Sequence, residues 1–260
     1  MGRIIAIANQ KGGVGKSTTA VNLSAAMALG GLRILLVDMD PQSHATSGVG
    51  VAKGAVGVSV YDVLINGLSL ASALIPTAIK GLDLAPGSIH LAGAEVELAS
   101  IHSREYRLRD SLRQARDWYE AVFIDCPPSL GLLTINALVA SDEILIPLQC
   151  EYYALEGLAQ LMESVNLIRR NLNPRLRVGG VLLTMYDART NLSEQVAAEV
   201  RRYFPGEVFQ TVIPRSVRLA EAPSFGQPVV TYDPASKGAQ AYMALAEEVR
   251  SRAGQPAVAE

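Results

Sequence analysis

The chain has 260 residues, 49% hydrophobic and 18% charged, which supports a sizeable buried core and excludes a globally disordered polymer. Its net charge of −2 supplies no overall basic field to recruit nucleic acid, and two cysteines are too few for a disulfide framework or a cysteine metal site. No apolar run approaches the roughly 18 residues of a membrane span and no leader-like stretch precedes the first apolar run, which together predict a cytoplasmic protein.

In chain order, residues 4–8 predict a strand and residues 19–29 a helix. Between them lies Gln10-Lys11-Gly12-Gly13-Val14-Gly15-Lys16-Ser17-Thr18. A glycine-rich loop between a strand and a helix is a phosphate cradle. Glycines 12, 13 and 15 let backbone N–H groups approach phosphate oxygens, and the helix that follows turns its positive end to the same anion. Lys16 supplies a point charge for the β- and γ-phosphates, and the Ser17 hydroxyl is placed to ligate Mg²⁺.

Residues 34–37 predict a second strand, which ends in Asp38-Met39-Asp40-Pro41-Gln42. A carboxylate held at a strand end can orient or deprotonate the water that attacks a γ-phosphate. Residues 43–105 are less regular, with small helices at 60–66 and 92–100 and a strand at 82–85. A helix over 107–117 and a strand over 122–124 follow. That strand ends in Asp125-Cys126-Pro127-Pro128, the Walker B form, in which Asp125 holds Mg²⁺ through a water. Beyond it the pattern predicts helices at 130–139, 154–171, 192–203 and 236–252, and strands at 144–146, 178–183 and, more weakly, 208–213. Cys126 and Cys150 end apolar runs and read as buried thiols.

The strand runs are continuously apolar rather than alternating, which marks strands buried on both faces of a parallel sheet. The expected fold is α/β: a doubly wound, mostly parallel sheet with helices on both faces. One domain is expected over residues 1–252, with a flexible tail at 253–260. In such sheets ligands sit beyond the carboxyl ends of the strands, so Asp38, Asp40, Asp125, Glu151 and residues 184–187 belong to one region.

Position 10 is glutamine where the common phosphate loop has glycine, and Lys11 is a second lysine. The form K-G-G-x-G-K-[ST] is the deviant Walker A motif, and it resembles that of the ParA/MinD group of P-loop ATPases. Asp38 to Gln42, Asp125 to Pro128, Gln149 to Gly157 and Arg218-Leu219-Ala220-Glu221-Ala222-Pro223-Ser224-Phe225-Gly226 resemble further segments of short, chromosomal ParA proteins of the Soj kind. The likeness runs from residue 3 to about 250.

The resemblance implies that Lys11 reaches the nucleotide of a partner subunit. It assigns hydrolysis to Asp40 and a supporting or Mg²⁺-water contact to Asp38. Residues Lys11, Gly12, Gly13, Val14, Gly15, Lys16, Ser17 and Thr18 would bind ATP. Glu151 would either pair with Lys11 across a dimer or reach a ribose hydroxyl. Loops at Met185 and Pro214 would bracket adenine, and the helix after Gly131 would respond to the γ-phosphate. The implied function is an ATP-switched homodimer that binds double-stranded DNA without sequence specificity on the nucleoid. A ParB/Spo0J-like partner would stimulate hydrolysis and release it. Arg189, Arg215 and Arg218 are the candidate DNA contacts, and no stable membrane association is expected. The alternative is a MinD-like, membrane-associated cell-division-site ATPase, which needs a basic amphipathic C-terminal helix. The last helix here has an acidic polar face and small apolar residues, which suits docking on the body.

Overall fold

Each apolar run that fills a strand faces two cores at once. In the computed structural model, which describes residues 2–152 and 154–252, Ile4 and Ala6 of the first strand point into one hydrophobic layer, and Ile5 and Ile7 into the other. Leu35 and Val37 alternate in the same way with Ile34 and Leu36. Period-2 geometry with both faces covered leaves no position for a polar side chain until the strand ends.

Seven strands form the sheet: β1 Arg3–Ile7, β2 Ile34–Asp38, β3 Ile75–Pro76, β4 Leu82–Ala85, β5 Ala121–Asp125, β6 Glu143–Gln149 and β7 Arg177–Thr184. Their order is β3-β4-β2-β5-β1-β6-β7, parallel throughout except for the β3–β4 pair. The helices are α1 Lys16–Leu29, α2 His44–Gly48, α3 Leu70–Ala73, α4 Leu91–Leu98, α5 Arg107–Leu112, α6 Leu132–Ala140, α7 Ala154–Asn171, α8 Asn191–Tyr203, α9 Val217–Glu221, α10 Val229–Tyr232 and α11 Lys237–Arg252. Buried residues of α4 to α8 share one layer, and those of α1, α10 and α11 share the other.

Two expectations are corrected, and one strand was not expected. Residues 208–213 form no strand; they meet β7 through an isolated bridge, Val181 with Val208, and through single bonds from Phe209 N to Val181 O and from Ile213 N to Leu183 O. The Glu248 carboxylate accepts the N–H groups of Gln210 and Thr211, at 2.8 and 3.0 Å, and so takes donors that a strand ladder would use. The helix expected over 107–117 splits into α5 and a 3₁₀ turn, Ala115–Asp117. The small helix expected over 60–66 is present, and its Asp62–Asn66 part is a π-helical turn. β3 went unread because two residues, one of them Pro76, carry no periodicity; proline is tolerated there because the strand is at the edge.

α11 lies on α1, with Gly238, Ala239, Tyr242, Leu245, Ala246 and Val249 buried and the Tyr242 hydroxyl 3.1 Å from Thr19 Oγ1. Its apolar face is covered by the body, as its small residues imply. No helix among the described residues is long and apolar enough to cross a membrane. Cys126 and Cys150 are free and buried. The tail expected at 253–260 lies outside the described residues.

Candidate nucleotide-binding site

β1 and β6 are neighbours in the sheet, and β1 also lies beside β5. That order puts the loop after β1 between the carboxyl ends of its neighbours. Asn9 locks the loop's entry: its Nδ2 donates to Pro147 O at 2.8 Å, and its Oδ1 accepts the Lys11 N–H at 3.0 Å. Gly13 and Gly15 have φ of 75° and 91°, left-handed values that a residue with a Cβ adopts only at a cost of about 1–2 kcal/mol. Gly15 is the N-cap of α1 and offers no side-chain cap, so the first N–H groups of that helix stay open to an anion. Thr184 Oγ1 donates to Val14 O at 2.9 Å and ties the loop to the end of β7.

Lys16 begins α1, is buried, and donates from Nζ to Lys11 O at 3.0 Å. Burial lowers its pKa, and the charges of Asp125, Cys126 and Asp40 oppose that shift. Asp38 and Asp125 are register partners on β2 and β5, so two carboxylates end adjacent strands side by side. Both are fully buried. Asp38 Oδ2 accepts the N–H and the hydroxyl of Thr46, each at 2.7 Å, and Oδ1 accepts the Asp40 N–H at 3.1 Å. Burial pushes its pKa up to about 6 against those bonds. Asp125 differs in having no hydrogen bond to either carboxylate oxygen. Burial first, then the neighbouring Asp38 charge, raise its pKa well above the usual carboxylate range. Ser17 and Lys16 pull the other way, although the Ser17 hydroxyl falls outside bonding geometry with either oxygen. A buried carboxylate with both oxygens open, beside a hydroxyl, fits a hydrated divalent cation.

The cleft above this floor has a volume of about 450 Å³. Of the expected site residues, Gly12, Gly13, Gly15, Lys16, Ser17, Thr18, Asp40 and Met185 line it. Val14 is buried behind the loop, and Asp38 and Asp125 lie beneath the cleft. Asp40 is nearly buried, and its Oδ1 accepts the Gln42 N–H at 2.8 Å. Met185 has φ 49° and is held there by its neighbour Tyr186, which donates to Ile213 O and accepts from Arg215 N. Pro214 bridges to Tyr186 without lining the cleft.

Within one chain Glu151 pairs with Lys11, Oε2 to Nζ at 2.5 Å, with both side chains more than 40% exposed. The β1–β6 adjacency brings the two strand ends together, a contact that residue spacing cannot show. Lys11 does not line its own chain's cleft. Sequence reasoning missed Asn22, Ala222, Pro223 and Gln227 as lining residues. The segment from Arg218 to Gly226 was singled out, but nothing local said that it folds over the nucleotide loop.

The three candidate arginines are exposed. Arg189 makes two bonds to Asp187, at 2.9 and 2.7 Å. Arg215 lies close enough to Asp187 to lower that carboxyl's pKa, so the structure brings Arg189 and Arg215 to one loop pair. Arg218, on α9, pairs with Glu221 at 2.8 Å and Asp233 at 3.2 Å.

The loop, its helix and the acidic strand ends beneath them are those of a P-loop nucleoside triphosphatase. A family model described as an AAA domain matches residues 2–178. The chain is 57% identical over 249 residues to the sporulation initiation inhibitor protein Soj of Bacillus subtilis, covering 96% of this chain and 98% of Soj. It is 52% identical over 252 residues to the chromosome partitioning protein ParA of Myxococcus xanthus, covering 97% and 89%. Among solved structures, cobyrinic acid a,c-diamide synthase of Mycobacterium smegmatis, with a bound ATP analogue and magnesium, superposes with a TM-score of 0.83. It is 38% identical and covers 95% of this chain and 93% of that one. The chain belongs to the Soj/ParA family of chromosome-partitioning ATPases.

Proposed function

We propose that this protein is a DNA-segregation switch: with ATP and Mg²⁺ it forms a sandwich homodimer that holds double-stranded DNA without sequence specificity. A ParB/Spo0J-like partner then stimulates slow hydrolysis and releases the DNA. The site of action is the cytoplasm, on the nucleoid.

One observation carries the reading. Lys11 belongs to the phosphate loop yet stands outside its own chain's cleft, held by an exposed pair. Such a pair contributes about 0–1 kcal/mol, so Lys11 is released at little cost when a nucleotide on a facing subunit offers a phosphate. Lys16 serves the nucleotide of its own chain. Occupancy of the cleft and pairing of two chains then become one event.

Ser17 and Asp125 fit Mg²⁺, with Asp38 behind them holding the turn to Asp40 through the Asp40 amide. The bound ion would neutralise charge on the β- and γ-phosphates. Asp40, at the cleft edge, orients the water that attacks. Met185 and Pro214 are the adenine-side residues, the first in the cleft wall and the second bridged to its neighbour. Arg189, Arg215 and Arg218 are the DNA contacts, and Arg189 and Arg218 leave surface ion pairs for a phosphate. A membrane-bound role gains no support from α11, whose apolar face is spent on α1.

The test is Lys11→Ala. ATP binding should stay within a few-fold of the parent, while the ATP-dependent dimer disappears from size exclusion. A variant that still dimerises with ATP would remove the basis of this reading.

A further inference from the structure

At the opposite end of the sheet from the nucleotide cleft, the segments leading into β5, β6 and β7 enclose a second cleft of about 530 Å³. Arg109, Arg113, Arg116 and Arg175 line it, and Asp142 is the one carboxylate among its lining residues. Arg116 is paired with Asp142 at 2.6 Å, and Arg109 with Asp110 at 3.0 Å. Arg113 and Arg175 are exposed, and neither has a carboxylate partner among the described residues. Arg116 also borders an adjoining depression of about 380 Å³, which adds Arg33 and the partly exposed Trp118. Asp117 and Glu120 line that depression too and balance its two arginines, so the positive surface is the first cleft alone, on a molecule whose net charge is −2.

An exposed guanidinium gains little from one small anion in water. Several on one surface gain from a polyanion, because each phosphate contact releases condensed counterions. The planar fork of arginine suits phosphate oxygens. We propose that this cleft is a second contact for the phosphate backbone of duplex DNA. The choice of DNA rests on the function proposed above; the site itself rests on the unpaired arginines. In a dimer joined through the nucleotide faces, the two clefts lie at the outer ends. One dimer can then hold a second duplex while the first stays on its nucleotide-side arginines.

The experiment uses the full chain and its Arg113→Ala/Arg175→Ala variant, both with ATP. A duplex fixed to beads retains the protein, and capture of a second, labelled duplex is then measured across salt concentrations. The variant should keep ATP hydrolysis and binding to the fixed duplex. It should lose capture of the second duplex at least ten-fold, and the salt slope of any residual capture should fall by about 2, near 0.9 for each phosphate contact removed. Second-duplex capture equal to the parent's would overturn the proposal, as would a parent that holds the fixed duplex and captures no other. Displacement of the labelled duplex by inorganic phosphate, but not by chloride at equal ionic strength, would make the cleft a small-anion site and would also overturn it. A parent that fails to hold even the fixed duplex would sink the DNA-binding reading itself, and this proposal with it.

Discussion

Asp38, Asp40 and Asp125 stand within a few residues of two strand ends, and their surroundings separate their roles. Asp38 spends its oxygens on Thr46 and the Asp40 amide, Asp125 keeps both oxygens open, and Asp40 reaches the cleft. Asp40→Ala should therefore leave ATP binding intact and slow hydrolysis by roughly 10²-fold or more, the usual worth of a positioned base. An ATP-bound dimer should accumulate on size exclusion. A variant that remained monomeric with ATP would assign Asp40 to binding instead.

The buried acidic pair also sets a pH dependence. Asp38 titrates near 3.8 when free and at about 6 when folded, so between those values the folded state binds more protons. Stability of the nucleotide-free protein should then fall as pH rises through that window, by at most about 3 kcal/mol from Asp38. The raised Asp125 adds in the same direction. Melting temperatures of Asp125→Asn and the parent between pH 4.5 and 7 check this. The variant should show the shallower decline, and parallel curves would contradict it. At this scale the sequence was most informative, because the phosphate loop and the aspartates at the ends of β2 and β5 are local patterns. The Lys11–Glu151 contact within one chain and the Asp38–Asp125 register were hidden, since both depend on which strands are neighbours.

At the scale of elements, the central strands were legible for the reason that makes them stable: unbroken apolar runs have no other place to go. Residues 208–213 show the limit of that logic. Their apolar character reads as a strand, yet Glu248 of α11 takes two backbone donors from the middle of the segment, and Arg252 bonds Glu207 O and Val208 O. A contact from 37 or more residues away outweighed the local pattern. Glu248→Ala should destabilise the fold by about 2 kcal/mol, the scale of backbone bonds to a charged acceptor. Burial pushes the Glu248 pKa up, but those bonds and Arg252 together outweigh it and hold the carboxyl below its ordinary value of 4.5. Its contribution is present above that value and is lost as pH falls through the lower, folded one. Urea unfolding at pH 7 and at pH 3 should show a large difference between parent and variant at the first and a small one at the second. An equal difference at both would place the effect in packing, not charge.

For the molecule as a whole, one end of the sheet holds the nucleotide loop and the other an arginine cleft, and neither is visible in a net charge of −2. Fold class and nucleotide site were both readable, because motif order along the chain matches strand order around the loop. The charge surfaces were not, because arginines scattered over more than a hundred residues acquire meaning only when the sheet gathers them. In the function proposed above, ATP occupancy, acting through Lys11 and dimer formation, controls DNA binding. Retention of a duplex of arbitrary sequence, measured with ATP and with ADP in the presence of anionic vesicles, decides whether it does. Retention should require ATP, fall steeply with salt, and leave the vesicles bare. Equal retention with ADP, insensitivity to salt, or transfer to the vesicles would contradict it.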